Sequence, residues 1–171
     1  PGLRPSPTRR ASDLGLATHT LFTDITSATG IRYAHHEKDF IDFNIEKLLP
    51  HKPSQYGPSL AAGDLDGNGL DDIFIGTSGG DYDQHYLLQQ PDGKFLDKLL
   101  PPVKGRDARL PENLGTLTFD EDGDGYPALY CVSGSNECPA GAKDKQDRQW
   151  MNVAKGNFEL EATGLVTGHQ H

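Results

Sequence analysis

Apolar residues along this chain come in short runs that alternate with polar positions and are punctuated by glycines, prolines and aspartates. That period of two predicts strands rather than helices. Leu21-Phe22-Thr23-Asp24-Ile25-Thr26 reads as a strand, and Gly30-Ile31-Arg32-Tyr33 as a second short one. His35 to Pro50 is less regular; Phe40, Phe43, Ile45 and Leu48-Leu49 are expected to pack a long loop or short helix against a sheet. Pro50, Pro53 and Pro58 then hold an extended approach to Ser59.

From there a four-part unit is legible. Leu60–Ala62 enters an acidic turn, Asp72-Ile73-Phe74-Ile75-Gly76 leaves it, Tyr86-Leu87-Leu88-Gln89 is a third strand, and Pro91-Asp92-Gly93 turns into Lys94-Phe95-Leu96-Asp97. The same order recurs as Leu117-Thr118-Phe119, a second acidic turn, Ala128-Leu129-Tyr130-Cys131-Val132, Gln149-Trp150-Met151-Asn152, and Lys155-Gly156-Asn157 turning into Phe158-Glu159-Leu160. The acidic turns begin 56 positions apart, at Asp64 and Asp120, and the closing turns 63 apart, at Gly93 and Gly156. Four strands per period of ~40–60 residues is the pattern of a β-propeller blade, which buries its faces only against neighbouring blades. The expected fold is therefore all-β, a partial β-propeller of about two four-stranded blades, with Leu21–Thr26 as the closing strand of a preceding one. The expected units are residues 59–105 and 106–171 as the two blades and 19–58 as the end of the preceding blade with a long connection.

Composition narrows this reading. The 171 residues include 20 Gly and 12 Pro, and mean hydropathy is −0.61. The net charge of −9 argues against a nucleic-acid surface, and no apolar run is long enough to cross a membrane as a helix. Residues 1–18 have no hydrophobic period, and Ser6 to Leu14 resembles a translated sequencing adapter; they are set aside as a non-native or disordered leader. The whole is expected to be a fragment of a longer chain. Cys131 and Cys138 are spaced for a small disulfide loop in an oxidising compartment, or else Cys131 is a buried free thiol and Cys138 exposed.

The acidic turns carry the candidate chemistry. Asp64, Asp66, Asn68 and Asp72 occupy positions 1, 3, 5 and 9 of a loop punctuated by Gly67 and Gly69. Asp120, Asp122 and Asp124 repeat positions 1, 3 and 5 between Gly123 and Gly125, but Ala128 stands at position 9. Alternate oxygen donors on a tight turn suit Ca²⁺, which takes about 6–8 oxygens in flexible geometry, better than Mg²⁺, which demands a strict octahedron. An EF-hand needs Glu at position 12, where these loops have Ile75 and Cys131. The plainer alternative is a pair of Asp/Asn/Gly turns that bind nothing, since these residues favour turns anyway. Against it stands the mutual repulsion of three clustered carboxylates unless a cation neutralises them. Gly76-Thr77-Ser78-Gly79-Gly80 matches a nucleophile-elbow string, but no helix is expected after it. His35-His36 with Glu37, and His51, have no metal-site spacing. Phe74, Tyr130 and Trp150 are expected in the core.

Ala61-Ala62-Gly63-Asp64-Leu65-Asp66-Gly67-Asn68-Gly69-Leu70-Asp71-Asp72-Ile73-Phe74-Ile75-Gly76 resembles an FG-GAP/VCBS repeat, the calcium-loop blade of integrin-α-type propellers. Phe22–Thr26, Gly30-Ile31, Leu48–Lys52 before Gly57-Pro58, and Val132–Glu137 are similar to the cartilage acidic protein (ASPIC/UnbV-associated) branch. The resemblance implies structural Ca²⁺ held by Asp64, Asp66, Asn68 and Asp72 with the Leu70 carbonyl, and by Asp120, Asp122 and Asp124 with the Tyr126 carbonyl. It implies an exported, extracellular or cell-surface protein that binds a protein or glycan and has no catalysis of its own. The alternative is a fragment of a propeller-fold enzyme, polysaccharide lyase-like, whose catalytic residues lie outside this chain.

Overall fold

The computed structural model describes residues 21–37, 39–79, 83–102, 112–134 and 147–161. Eight strands form two four-stranded antiparallel sheets, each a simple meander. Blade 1 comprises β1 (Leu60–Gly63), β2 (Asp72–Ile75), β3 (His85–Gln89) and β4 (Phe95–Leu99). Blade 2 comprises β5 (Asn113–Phe119), β6 (Ala128–Ser133), β7 (Arg148–Ala154) and β8 (Asn157–Leu160). The register of one blade repeats in the other pair by pair: Ala61 opposes Phe74 as Leu117 opposes Tyr130, and Ile73 opposes Leu87 as Leu129 opposes Trp150. These are the sheets of a partial β-propeller.

The core lies between the blades. Phe74, Tyr86 and Leu88 of blade 1 pack with Leu129, Cys131, Trp150 and Phe158 of blade 2, all but sealed from solvent. Alternation places these residues on one face of each sheet. Burying each large apolar side chain contributes about 1.5–3 kcal/mol. Tyr86 and Phe158 meet edge to face, centroids 5.3 Å apart, and the Tyr86 hydroxyl donates to the Gly156 carbonyl at 3.0 Å. Along the inner strands, Ser59 Oγ and Thr116 Oγ1 lie 2.7 Å apart and Thr118 Oγ1 donates to the Ala62 carbonyl at 3.3 Å. β1 and β5 therefore run side by side in the same direction, and both acidic turns emerge at the same rim. At the opposite rim the Asn113 N–H donates to the Thr77 carbonyl at 2.9 Å, and the Thr77 hydroxyl bonds the Asn113 side chain.

The positions of blade 1 that blade 2 buries, Ala61, Phe74, Tyr86 and Leu88, recur in blade 2 as Leu117, Tyr130, Gln149 and Met151. There Leu117 is 59 % exposed where Ala61 is partly buried, and Tyr130, expected in the core, is only partly buried where Phe74 is fully so. Blade 2 thus leaves that face open at Leu117, while Gln149 on the same face stays buried.

Three expectations upstream of blade 1 are corrected. Leu21–Thr26 is not a strand: Asp24 Oδ1 accepts the Thr26 N–H at 3.0 Å, and the Ile25 carbonyl accepts from Ala28 and Thr29, starting the single-turn helix α1 (Thr26–Thr29). With no neighbouring strand to pair with among the described residues, the local side-chain turn wins. Leu21 and Phe22 are left almost fully exposed. Gly30–Tyr33 is irregular as well. Of the apolar residues in 40–49, Phe43, Ile45 and Leu48 are exposed rather than packed. This connection is held instead by Asp42, fully buried, which accepts from Ser54 N–H and Oγ at 3.2 and 2.6 Å. The Tyr33 ring lies 5.0 Å from that of His85 on β3.

Candidate metal centres

The first loop follows β1, where Gly63 hands the chain to Asp64. Asp64 organises the turn. Its Oδ1 accepts the N–H groups of Gly67 and Asn68 at 2.8 and 3.0 Å, and Oδ2 accepts that of Gly69 at 2.8 Å. Asp66 Oδ1 accepts from Asn68 N–H at 3.1 Å, and Asn68 Oδ1 from Leu70 N–H at 2.7 Å. Gly67 and Gly69 have φ of +77° and +83°, the left-handed region that a side chain resists. The second loop repeats this network 56 residues on. Asp120 accepts from Gly123 and Gly125 at 2.9 and 3.0 Å, Asp122 from Asp124 at 3.1 Å, and Asp124 from Tyr126 at 2.8 Å.

Each loop gathers three carboxylates, Asp64, Asp66 and Asp72 in the first and Asp120, Asp122 and Asp124 in the second, with one oxygen from each within 4.8 Å of the others. Among the described residues no other set of acidic, histidine or cysteine side chains does so. A carboxylate oxygen that accepts one N–H keeps a second lone pair for a cation. The donor sets are hard oxygens on short, glycine-hinged loops, and they fit Ca²⁺. Asn68, Leu70 and Tyr126 lie in the same turns; Asn68 Nδ2 is committed to the Gln89 carbonyl at 2.9 Å.

The loops differ at position 9. Asp72 is fully buried, and its two oxygens accept backbone N–H groups of Leu65 and Gln89 at 2.8 and 2.7 Å. Burial pushes its pKa up from the usual carboxylate value, the two N–H donors pull it down, and the charges of Asp66 and Asp64 push it up again. Asp72 is thus a clip between loop and β3 as well as a candidate ligand. Ala128, also buried, replaces it in blade 2, and the three acids of that loop are all exposed.

An acidic loop between two antiparallel strands thus opens a blade whose register then recurs. Residues 56–88 match the FG-GAP repeat. The FG-GAP match spans β1, the first loop, β2 and most of β3, so the first loop lies wholly within the repeat. A comparison with curated proteins returned no match.

The remaining candidates fall elsewhere. Ser78 is buried and its hydroxyl donates to the His36 carbonyl at 3.0 Å, and the next described element is strand β3, so the nucleophile-elbow reading fails. His35 lies between Tyr33 Oη at 3.2 Å and Glu37 at 3.0 Å, and His51 packs on Tyr56. Cys131 is free and buried, its thiol pushed up to about 12 by desolvation; Cys138 lies outside the described residues. Sequence reasoning missed Asn152, whose buried amide donates to the Leu65 carbonyl at 2.7 Å and the Pro127 carbonyl at 3.2 Å. Its one signal was position: it stands 63 residues after Gln89, at the same place on the third strand of the repeat.

Proposed function

We propose that this chain is a calcium-stabilised propeller segment of an exported protein, serving adhesion or binding to a protein or glycan, with no catalysis of its own. Residues 59–105 and 106–171 are read as successive repeats. The observation that carries the reading is the duplication of the acidic loop: the same hydrogen-bond network and the same three-carboxylate cluster, 56 residues apart, on adjacent blades. In the first loop Asp64, Asp66, Asn68 and Asp72 with the Leu70 carbonyl would hold the ion; in the second, Asp120, Asp122 and Asp124 with the Tyr126 carbonyl. Ca²⁺ there supplies charge neutralisation, and the side chains tie each turn so that two strands leave it in register. FG-GAP repeats are typical of extracellular and cell-surface proteins, which supports the exported setting. No described helix is long and apolar enough to cross a membrane.

The test is thermal unfolding of the 171-residue chain in calcium and in chelator. Calcium should raise the melting temperature, and Asp64→Ala should abolish more of that rise than Asp124→Ala, because the first loop has its ninth-position acid. Identical melting curves in the two buffers would defeat the calcium reading. Retention on glycan or cell-surface protein arrays without product release supports the binding role; release of sugar from a polysaccharide would favour a propeller enzyme.

A further inference from the structure

The first loop does not stand alone at the tip of its blade. Three elements of blade 2 converge on Leu65, Asp66 and Gly67. From β7, Asn152 Nδ2 donates to the Leu65 carbonyl at 2.7 Å. The β7–β8 turn brings Gly156 so close that a Cβ there would lie 3.6 Å from Asp66 Cβ. From the second loop, the Tyr126 ring covers Gly67, where a Cβ would meet Cε1 at 2.8 Å. Asn152 also donates to the Pro127 carbonyl, at the end of the second loop, and its Oδ1 accepts the Gly156 N–H at 3.1 Å. One buried side chain therefore fastens the backbone of the first loop, the exit of the second and the β7–β8 turn.

We propose that cation binding in the first loop and docking of blade 2 on blade 1 form one linked equilibrium, with Asn152 as the positioning residue; this rests on the calcium reading above. Leu65 lies between Asp64 and Asp66, so a fixed Leu65 carbonyl fixes the planar peptide that carries Asp66. Docking pre-organises the loop and reduces the ordering cost of binding. Reciprocity then requires that the ion tighten the docked junction by the same factor.

The experiment is amide hydrogen exchange, followed by NMR, on the 171-residue chain carrying Asp122→Asn to weaken the second loop, with and without calcium chloride. Calcium should slow exchange at 64–72 and also at the Gly156 N–H, by about fivefold or more. Protection confined to 64–72 would overturn the linkage while leaving calcium binding intact. No calcium-dependent change even at 64–72 would overturn both. Adding Asn152→Ala should weaken calcium affinity of the first loop about five- to tenfold and abolish the response at Gly156. Unchanged affinity would overturn the role of Asn152, and if that variant does not fold, the exchange measurement with Asn152 present decides.

Discussion

Asp72→Ala separates the two jobs of one carboxylate. In calcium-free buffer only its backbone bonds are at stake. The substitution strands the N–H groups of Leu65 and Gln89, which the fully buried carboxylate accepts at 2.8 and 2.7 Å, the first bond buried and the second part-buried. Each stranded donor costs about 1–3 kcal/mol, or roughly 2–6 for the pair. Against this, the native carboxylate is itself disfavoured by burial and by the charges of Asp66 and Asp64, which raise its pKa, so part of the loss is offset. A net cost of about 2–3 kcal/mol at neutral pH is expected. Asp72→Asn keeps one acceptor oxygen and most of the volume and should cost about 1 kcal/mol. Urea unfolding in chelator reads both through fluorescence of Trp150, the single tryptophan, buried in the interblade core. If Asp72→Ala falls within about 0.5 kcal/mol of wild type in chelator yet destabilises in calcium, the clip is refuted and Asp72 acts only as a ligand.

Further predictions follow from the same geometry. Gly67 and Gly123 share a φ of +77°, so alanine at either costs about 1 kcal/mol for the backbone. Gly67→Ala should cost about 1 kcal/mol more because of the Tyr126 ring, and Tyr126→Ala should recover that excess; equal costs at the two glycines in urea unfolding would disprove the loop contact. In a Cys138→Ser background, Cys131 should react with iodoacetamide at pH 8 only as fast as the chain unfolds, since burial holds its thiol pKa near 12; rapid labelling of the native chain would contradict its burial. Leu129→Ala, fully buried between the blades, should cost about 3 kcal/mol, while Leu117→Ala, on the outward face, should stay within about 0.5 kcal/mol; a large loss at Leu117 would mean that face is covered.

Much of the fold was legible because its signals are local. Alternation around Phe74, Leu129 and Trp150 marks strands, and glycines at fixed offsets from Asp64 and Asp120 mark the turns. The loop carboxylates were legible for the same reason, since the side chains at positions 1, 3 and 5 accept backbone N–H groups of their own tight turn. Leu21–Thr26 shows where this logic stops: alternation states which residues suit a strand, but only a partner makes one, and Asp24 instead captures the Thr26 N–H. The second job of Asp72 depends on Gln89, 17 positions away, and the role of Asn152 on Leu65, 87 away. Contacts of that range are set by how the blades pack, which spacing along the chain does not encode.

The change of offset from 56 to 63 residues is confined to one part of the repeat. Through the acidic loop and its flanking strands the repeats stay in step, from Ile73 and Leu129 back to Asp64 and Asp120. They fall out of step between β6 and β7, in the connection that leaves the rim opposite the loops, and resume with Leu87 matched to Trp150. An extra residue in an acidic loop would displace a carboxylate and the strand behind it. The seven residues added in the opposite connection leave the pairing of Leu129 with Trp150 and Tyr130 with Gln149 matched to that of Ile73 with Leu87 and Phe74 with Tyr86. The length difference between the two repeats therefore falls at one rim of the molecule, while the other rim keeps the frame that spaces the acidic loops and their strands.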